Sequence, residues 1–131
     1  MLECLILGDS IAAGISMNRP ECAVHAKVGI TSRKFVDSNI TKELAAKTVI
    51  ISLGSNDSEN MKTLKELFTL REVVKADRVY WVLPANSAKK LEAVEIVADK
   101  FEDKTVKITE LSKDGVHPTR RGYQTLVSQT R

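Results

Sequence analysis

The chain has 131 residues, with 20 Lys and Arg against 17 Asp and Glu, and a net charge of +3. This length suits one domain spanning residues 1–131, and a composition that is 43% hydrophobic and 28% charged excludes wholesale disorder. The basic residues form scattered doublets and no stripe, so we expect no nucleic-acid partner.

The sequence carries no recognisable export or membrane signal. No apolar run approaches the roughly 20 residues that span a bilayer, and no basic segment or cleavage site flanks the first apolar run. We therefore expect a cytoplasmic protein without a membrane span. Cys4 is interpreted as a small buried side chain, and with Cys22 it is expected to form neither a disulfide framework nor a zinc site.

Five apolar runs along the chain are typical of β-strands. The runs at residues 5–7, 49–51 and 79–83 are continuous, as in strands that are covered on both faces. The runs at residues 24–28 and 106–108 alternate with polar residues, as in edge strands. In the second run the apolar set is Val24, Ala26 and Val28, which predicts that His25 faces away from the core.

Helical periodicity fills the intervals between these runs. Helical patterns follow Thr31, Asn60, Ser87 and Thr119, and of these Asn60 and Thr119 are predicted N-caps. Spacings of three and four residues then define the inward faces. The residues predicted to face inward are Phe35, Val36, Met61, Leu64, Leu67, Phe68, Val74, Leu91, Val94, Ala98, Phe101, Tyr123, Leu126 and Val127.

The alternation of strands and helices predicts an α/β fold. Five strands separated by helices form a parallel sheet between two helical layers, a three-layer α/β/α sandwich. With the second and fifth strands at the edges, the flavodoxin-like order 2-1-3-4-5 fits best. Ligands of such sheets bind beyond the carboxyl ends of the strands, here next to the switch point between strands one and three.

Polar residues follow four of these strands and hold the groups that acyl transfer requires. A serine nucleophile needs a histidine base, and the histidine needs a carboxylate that fixes its tautomer. Ser10, His117 and Asp114 can fill these roles. The loop before His117 can extend about 27–30 Å, enough to cross the roughly 14 Å between strands five and one.

A tetrahedral intermediate also needs donors for its oxyanion, and the same loops supply candidates. The backbone N–H groups of Ser10 and Gly29 and the side-chain amide of Asn56 can serve. Asp9 and Asp57 are interpreted as residues that support these turns through hydrogen bonds. This chemistry needs no cofactor and no metal ion.

The four polar segments resemble the sequence blocks of the SGNH hydrolases, the GDSL-type esterases and lipases. They are Gly-Asp-Ser at 8–10, the glycine at 29, Gly-Ser-Asn-Asp at 54–57 and Asp-Gly-Val-His-Pro at 114–118. The resemblance covers residues 8 to about 126 in the family's order and implies the flavodoxin-like fold. It also implies that Ser10 is the nucleophile, that Asp114 and His117 complete the triad, and that Gly29 and Asn56 complete the oxyanion hole.

The sequence therefore predicts a serine esterase that acts on a small-molecule or glycan ester, with acetyl esters of carbohydrates favoured because a chain without a lid leaves an open site. Lysophospholipid or thioester cleavage is an alternative, and so is a silent module that binds glycans or a partner. A phosphate or flavin site at the first loop is disfavoured by Asp9. Ile11, Ala12 and Ile15 either line an acyl pocket or pack in the core.

Overall fold

The computed structural model describes residues 1–131 as one five-stranded sheet flanked by five helices. All the strand pairs are parallel, and the strand order is 2-1-3-4-5. The predicted α/β sandwich and its strand order are thereby confirmed. In chain order the elements are β1 Leu2–Gly8, α1 Ser10–Met17, β2 Ala23–Ala26, α2 Ser32–Asn39, β3 Leu44–Ser52, α3 Thr63–Val73, β4 Val74–Leu83, α4 Ala88–Lys100, β5 Lys104–Lys107 and α5 Arg120–Gln129.

Two hydrophobic clusters fill the spaces between the layers. Residues of β1 alternate between them, since Leu5 and Leu7 belong to the cluster under α2, α3 and α4, while Ile6 belongs to the cluster under α1 and α5. Trp81, which is fully buried, lies in the first cluster, and Tyr80 lies in the second. The period of two along a strand therefore divides the sheet into the two faces that the continuous apolar runs predicted.

Three of the residues that precede the helical patterns act as N-caps through side-chain hydrogen bonds, which confirms the prediction for Thr119. Thr31 caps α2, Ser87 caps α4 and Thr119 caps α5, each accepting a backbone N–H of the first turn. These bonds satisfy donors that the first turn of a helix leaves without partners. None of the five helices has the combination of length and apolar character that crossing a membrane requires.

The prediction for α3 was wrong at both ends. The helix begins after Lys62 without a side-chain cap, so Asn60 is not its N-cap. Its buried positions include Leu67 and Leu70, whereas Met61 and Leu64 are exposed. The helix ends at Val73 and passes into β4 without a loop. Val74 is therefore the first residue of β4, where it pairs with Leu44, and does not belong to the helix.

The edge strand β2 also departs from its pattern. Ala26 packs against the cluster under α1 and α5 as predicted, but Val24 and Val28 are exposed, so the expectation that these valines belong to the core was wrong. His25 is half-buried on the opposite face of the strand. The register of β1 and β2 places Val24 beside Ile6, and it places His25 beside Leu7 on the face of the sheet that α2 covers. Burial lowers the pKa of His25, and Lys42 adds to the effect.

A disulfide joins Cys4 and Cys22, which corrects the expectation that these residues form no such bond. Both cysteines are buried, as expected for Cys4. The register of β1 and β2 explains the pairing, because Leu5 lies opposite Ala23 and the two preceding residues are therefore brought side by side. Spacing in the sequence alone does not reveal such a pair.

Candidate active site

The turn that follows β1 is built into the core of the protein. Gly8 has φ +142°, and a Cβ at this position would lie 1.9 Å from the carbonyl oxygen of Ser52, so only glycine fits here. The N–H of Asp9 donates to that same carbonyl at 3.0 Å. Ser10 is the first residue of α1, at the positive end of the helix dipole. The turn therefore holds Ser10 at the carboxyl end of β1.

Asp9 is fully buried and serves as the N-cap of α1. Its Oδ1 accepts the N–H of Ile11 at 3.0 Å and the hydroxyl of Ser52 at 3.1 Å, while Oδ2 has no hydrogen-bond partner. Burial raises the pKa of this carboxyl, and the hydrogen bonds oppose that effect. The side chain faces the protein interior, so it holds the turn and does not reach the surface where a substrate would bind.

The segment that carries His117 is organised by its own hydrogen bonds. Asp114 Oδ1 accepts the backbone N–H groups of Val116 at 2.8 Å and His117 at 2.9 Å. The N–H of Ser112 donates to the carbonyl of His117 at 2.8 Å, and Gly115 provides the positive φ of +71° at the bend. The backbone donors of Val116 and His117, followed by the His117 side chain, hold the pKa of Asp114 well below its usual range.

The structure brings Ser10, His117 and Asp114 into one hydrogen-bonded chain. Ser10 Oγ lies 2.8 Å from His117 Nε2, and His117 Nδ1 lies 2.6 Å from Asp114 Oδ2. Because an ionised carboxylate only accepts, the ring proton lies on Nδ1, and Nε2 is left to accept the serine proton. This arrangement can remove a proton from Ser10 as its oxygen attacks an electrophile.

The loops after β2 and β3 meet above the end of β1, since those strands flank β1 in the sheet. The side-chain amide of Asn56 donates to the carbonyl of Ile30 at 3.1 Å, which uses one of its two N–H groups and leaves the other free. Gly29 has φ +79°, and no carbonyl of the protein accepts its N–H. Free donors of this kind can stabilise an oxyanion.

Asp57 connects these two loops from below. Its Oδ1 accepts the N–H of Ser32 at 2.8 Å, and its Oδ2 accepts the hydroxyl of Thr63 at 2.7 Å. The carboxylate therefore ties the loop of Gly29 to the loop of Asn56 and to the start of α3. Because Asp57 is buried, its role is to fix the loops, not to contact a substrate.

Each candidate residue named from the sequence lies at this carboxyl edge, on turns that the hydrogen bonds above connect. Ile11, Ala12 and Ile15 are buried in the cluster under α5, so they pack in the core and leave no acyl pocket along α1. A hollow of about 390 Å³ between α3 and α4 is lined by none of the triad residues.

Sequence reasoning missed Ser112, whose hydroxyl lies 3.1 Å from Asp114 Oδ1 and 2.8 Å from the carbonyl of His117. Nothing in the sequence distinguishes this serine from an ordinary loop residue. The contacts of Ser112 with Asp114 and His117 depend on the fold of the segment between Leu111 and Pro118. These two residues pair as an isolated antiparallel bridge.

Comparison with solved structures identifies related folds. The chain matches a protein from Bacteroides fragilis assigned as an acylhydrolase with a TM-score of 0.67 and 17% identity, covering 97% of this chain and 83% of that one. It matches the C-terminal catalytic domain of peptidoglycan O-acetyltransferase A from Streptococcus pneumoniae, solved with a methylsulfonyl adduct, with a TM-score of 0.62 and 16% identity over 98% and 91% of the two chains.

A protein from Parabacteroides merdae assigned as a GDSL-like lipase matches with a TM-score of 0.68 and 13% identity, over 95% of this chain and 91% of that one. No protein-family model matches the sequence, and no curated protein is significantly similar to it. The chain therefore has the three-layer fold of SGNH-type esterases and acyltransferases, which confirms the resemblance at the level of the fold.

Proposed function

We propose that this protein is a serine esterase that hydrolyses short-acyl esters through a covalent acyl-enzyme. The observation that carries the proposal is the continuous hydrogen-bonded chain from Ser10 through His117 to Asp114. Each residue has one role: Ser10 is the nucleophile, His117 is the general base and acid, and Asp114 orients the imidazole and stabilises its charged form.

In the first half of the reaction, His117 Nε2 takes the hydroxyl proton as Ser10 Oγ bonds to the ester carbonyl carbon. The negative charge of the tetrahedral intermediate lies on the former carbonyl oxygen. The N–H groups of Ser10 and Gly29 and the amide of Asn56 donate to it. Collapse breaks the bond to the alkoxy oxygen, and the alcohol leaves with the proton from His117.

In the second half, water attacks the acyl-enzyme while His117 takes one of its protons. The second tetrahedral intermediate uses the same donors, and its collapse breaks the bond to Ser10 Oγ. Ser10 recovers its proton from His117, and the carboxylic acid leaves. The side chains present complete this cycle without a cofactor.

The preference for a short acyl group follows from the shape of the site. The residues behind Ser10 are packed into the core, and the side chains of His117 and Asp114 are 43% and 50% exposed. An acetyl group needs no deep pocket, whereas a large or polar alcohol can approach across this open surface. We therefore propose acetyl esters of carbohydrates as the substrate class, which also agrees with the peptidoglycan O-acetyltransferase among the structural neighbours.

Labelling with a fluorophosphonate, followed by peptide mapping, tests the mechanism, because only an activated serine reacts. We expect the label on Ser10, no label on Ser10→Ala, and no hydrolysis of p-nitrophenyl acetate by that variant. Wild-type turnover by Ser10→Ala would overturn the mechanism. An unlabelled wild-type protein that still binds acetylated glycans would instead identify a silent binding module.

A series of p-nitrophenyl esters from acetyl to decanoyl tests the acyl preference. We expect kcat/KM to fall as the chain lengthens beyond butanoyl. A preference for octanoyl or longer chains would contradict the short-acyl proposal and favour lysophospholipid or thioester cleavage. Release of acetate from an acetylated oligosaccharide, compared with p-nitrophenyl acetate, tests the carbohydrate alcohol.

A further inference from the structure

The carbonyl oxygen of Ser55 receives two donors from the segment that follows β4. Asn86 Nδ2 donates to it at 3.0 Å, and the ammonium of Lys90 donates at 3.2 Å. One donor is enough to satisfy a buried carbonyl, so the second, charged donor is not needed for that purpose. Ser55 directly precedes Asn56, so both donors act on the peptide bond that carries the candidate oxyanion residue.

Lys90 is placed where a lysine is unfavourable for the stability of the fold. The residue is only 9% exposed, and burying a charged group has a cost. It also lies in the first turn of α4, where the helix dipole disfavours a positive charge. These two costs indicate that the contact with Ser55 serves the site.

The peptide bond between Ser55 and Asn56 is trans, so its N–H points away from the clamped carbonyl. No carbonyl of the protein accepts this N–H. On the other side of Asn56, the side-chain amide is fixed by its bond to Ile30. The backbone of Asn56 is thus held at one end by Lys90 and Asn86, and its side chain is held at the other end by the loop after β2.

We propose that Lys90 is a positioning residue for Asn56: together with Asn86 it clamps the Ser55 carbonyl and so fixes the direction of the Asn56 side-chain amide toward the oxyanion. This inference rests on the proposed esterase function. Lys90 itself does not touch the substrate. Displacement of an oxyanion donor by a fraction of an ångström weakens its bond to the transition state more than its contact with the ground-state ester.

The experiment compares two adjacent lysines. Lys90→Met keeps the buried aliphatic stem and removes the ammonium. Lys89→Met is the matched control, because Lys89 donates to the carbonyl of Glu59 and not to Ser55. Each change is made in the wild type and in Asn56→Ala, and kcat and KM for p-nitrophenyl acetate are measured in all the variants.

We expect Lys90→Met to lower kcat about tenfold and to change KM less than about twofold. The expected loss in kcat is smaller than the ~100- to 1,000-fold loss that removal of an oxyanion donor causes, because the donor is displaced and not removed. Lys89→Met should stay within about twofold of the wild type. In the Asn56→Ala background Lys90→Met should cause no further loss, because the side-chain amide on which it acts is gone. An unchanged kcat, or an equal loss in both backgrounds, would overturn the proposal.

A second variant and an NMR measurement test the clamp if Lys90→Met alone gives no answer. If Lys90→Met does not fold, Asn86→Ala removes the other donor to Ser55 and enters the same cycle. The amide ¹⁵N resonance of Asn56 reports the clamp without turnover, and it should shift in Lys90→Met but not in Lys89→Met. An unshifted resonance contradicts the clamp, whereas a wild type that neither turns over nor reacts with a fluorophosphonate contradicts the esterase function instead.

Discussion

The turn that carries Ser10 and the segment that carries His117 meet at one hydrogen bond but are built in opposite ways. The first is buried: Gly8 touches the backbone of β3, and Asp9 is enclosed by the start of α1. The second is exposed, and its shape comes from Asp114, whose Oδ1 accepts two backbone N–H groups of the same segment.

The two carboxylates show what this difference means. Burial raises the pKa of Asp9, whereas nearby N–H donors lower the pKa of Asp114. The nucleophile is thus held by the packing of the whole sheet, and changes there should affect folding. The acid–base pair is held by local bonds, and changes there should affect activity more than stability. Each prediction below tests this separation.

The largest effect is expected from Asp114→Asn in the exposed segment. The amide oxygen can still accept the backbone N–H groups, but the amide nitrogen cannot accept the proton of His117 Nδ1, so the wrong tautomer is favoured. Turnover of p-nitrophenyl acetate should fall about 10⁴-fold, as in other triads, with little change in the thermal unfolding midpoint. Glu110→Gln is the control, because Glu110 has only a 4.0 Å contact with Arg121. A large loss of stability would show that the segment is not independent of the core.

The next largest effect is expected on stability, when the glycine of each turn, Gly8 or Gly115, is replaced by alanine. Gly8→Ala forces a Cβ to within 1.9 Å of a backbone oxygen, and we expect it to cost about 3 kcal/mol or more. Gly115→Ala meets nothing within 4 Å and carries only the cost of a positive φ, about 1–2 kcal/mol. Urea unfolding measures both values, and equal losses would contradict the comparison.

The disulfide provides a perturbation remote from both turns. Cys4 lies four residues before Gly8, about 13 Å along the strand. Its bond to Cys22 closes a loop of 18 residues, so reduction should lower the free energy of unfolding by about 3 kcal/mol. Turnover at 25 °C should be unchanged. Cys22→Ser, which has no bond to reduce, should not respond to the reductant, and a fall in turnover on reduction would show coupling to the site.

The same bond bears on where the protein works. Disulfides are rare in the cytosol of mesophilic cells, whereas the sequence predicts a cytoplasmic protein. Alkylation of free thiols in freshly lysed cells measures the state of Cys4 and Cys22. If the cytoplasmic prediction is right, both should be alkylated, and a protected pair would contradict it.

The order of the strands and the position of the candidate residues at one edge of the sheet could be predicted because they depend on local patterns. Continuous and alternating apolar runs distinguish central from edge strands, and polar residues after parallel strands share one edge. The Cys4–Cys22 bond, the exposure of Val24 and the donors to Ser55 could not, because each depends on register or on contacts between distant segments. The interpretation of residues 1–131 as a single domain stays a prediction.

The smallest expected effect is a difference in pH dependence between the two carboxylates. The folded-state pKa of Asp114 is lowered, so its contribution to stability is complete above its unfolded-state pKa of about 3.9 and is lost as the pH falls through the folded-state value. The folded-state pKa of Asp9 is raised, so the wild type loses stability relative to Asp9→Asn as the pH rises from about 4 through the folded-state pKa. Urea midpoints of the wild type, Asp9→Asn and Asp114→Asn between pH 2 and 7 should therefore diverge in opposite directions, for Asp114 below about pH 4 and for Asp9 above it. Parallel plots of urea midpoint against pH would mean that the two carboxylates do not differ in their electrostatic environment. The difference between the buried turn of Ser10 and the exposed segment of His117 would then be one of packing alone.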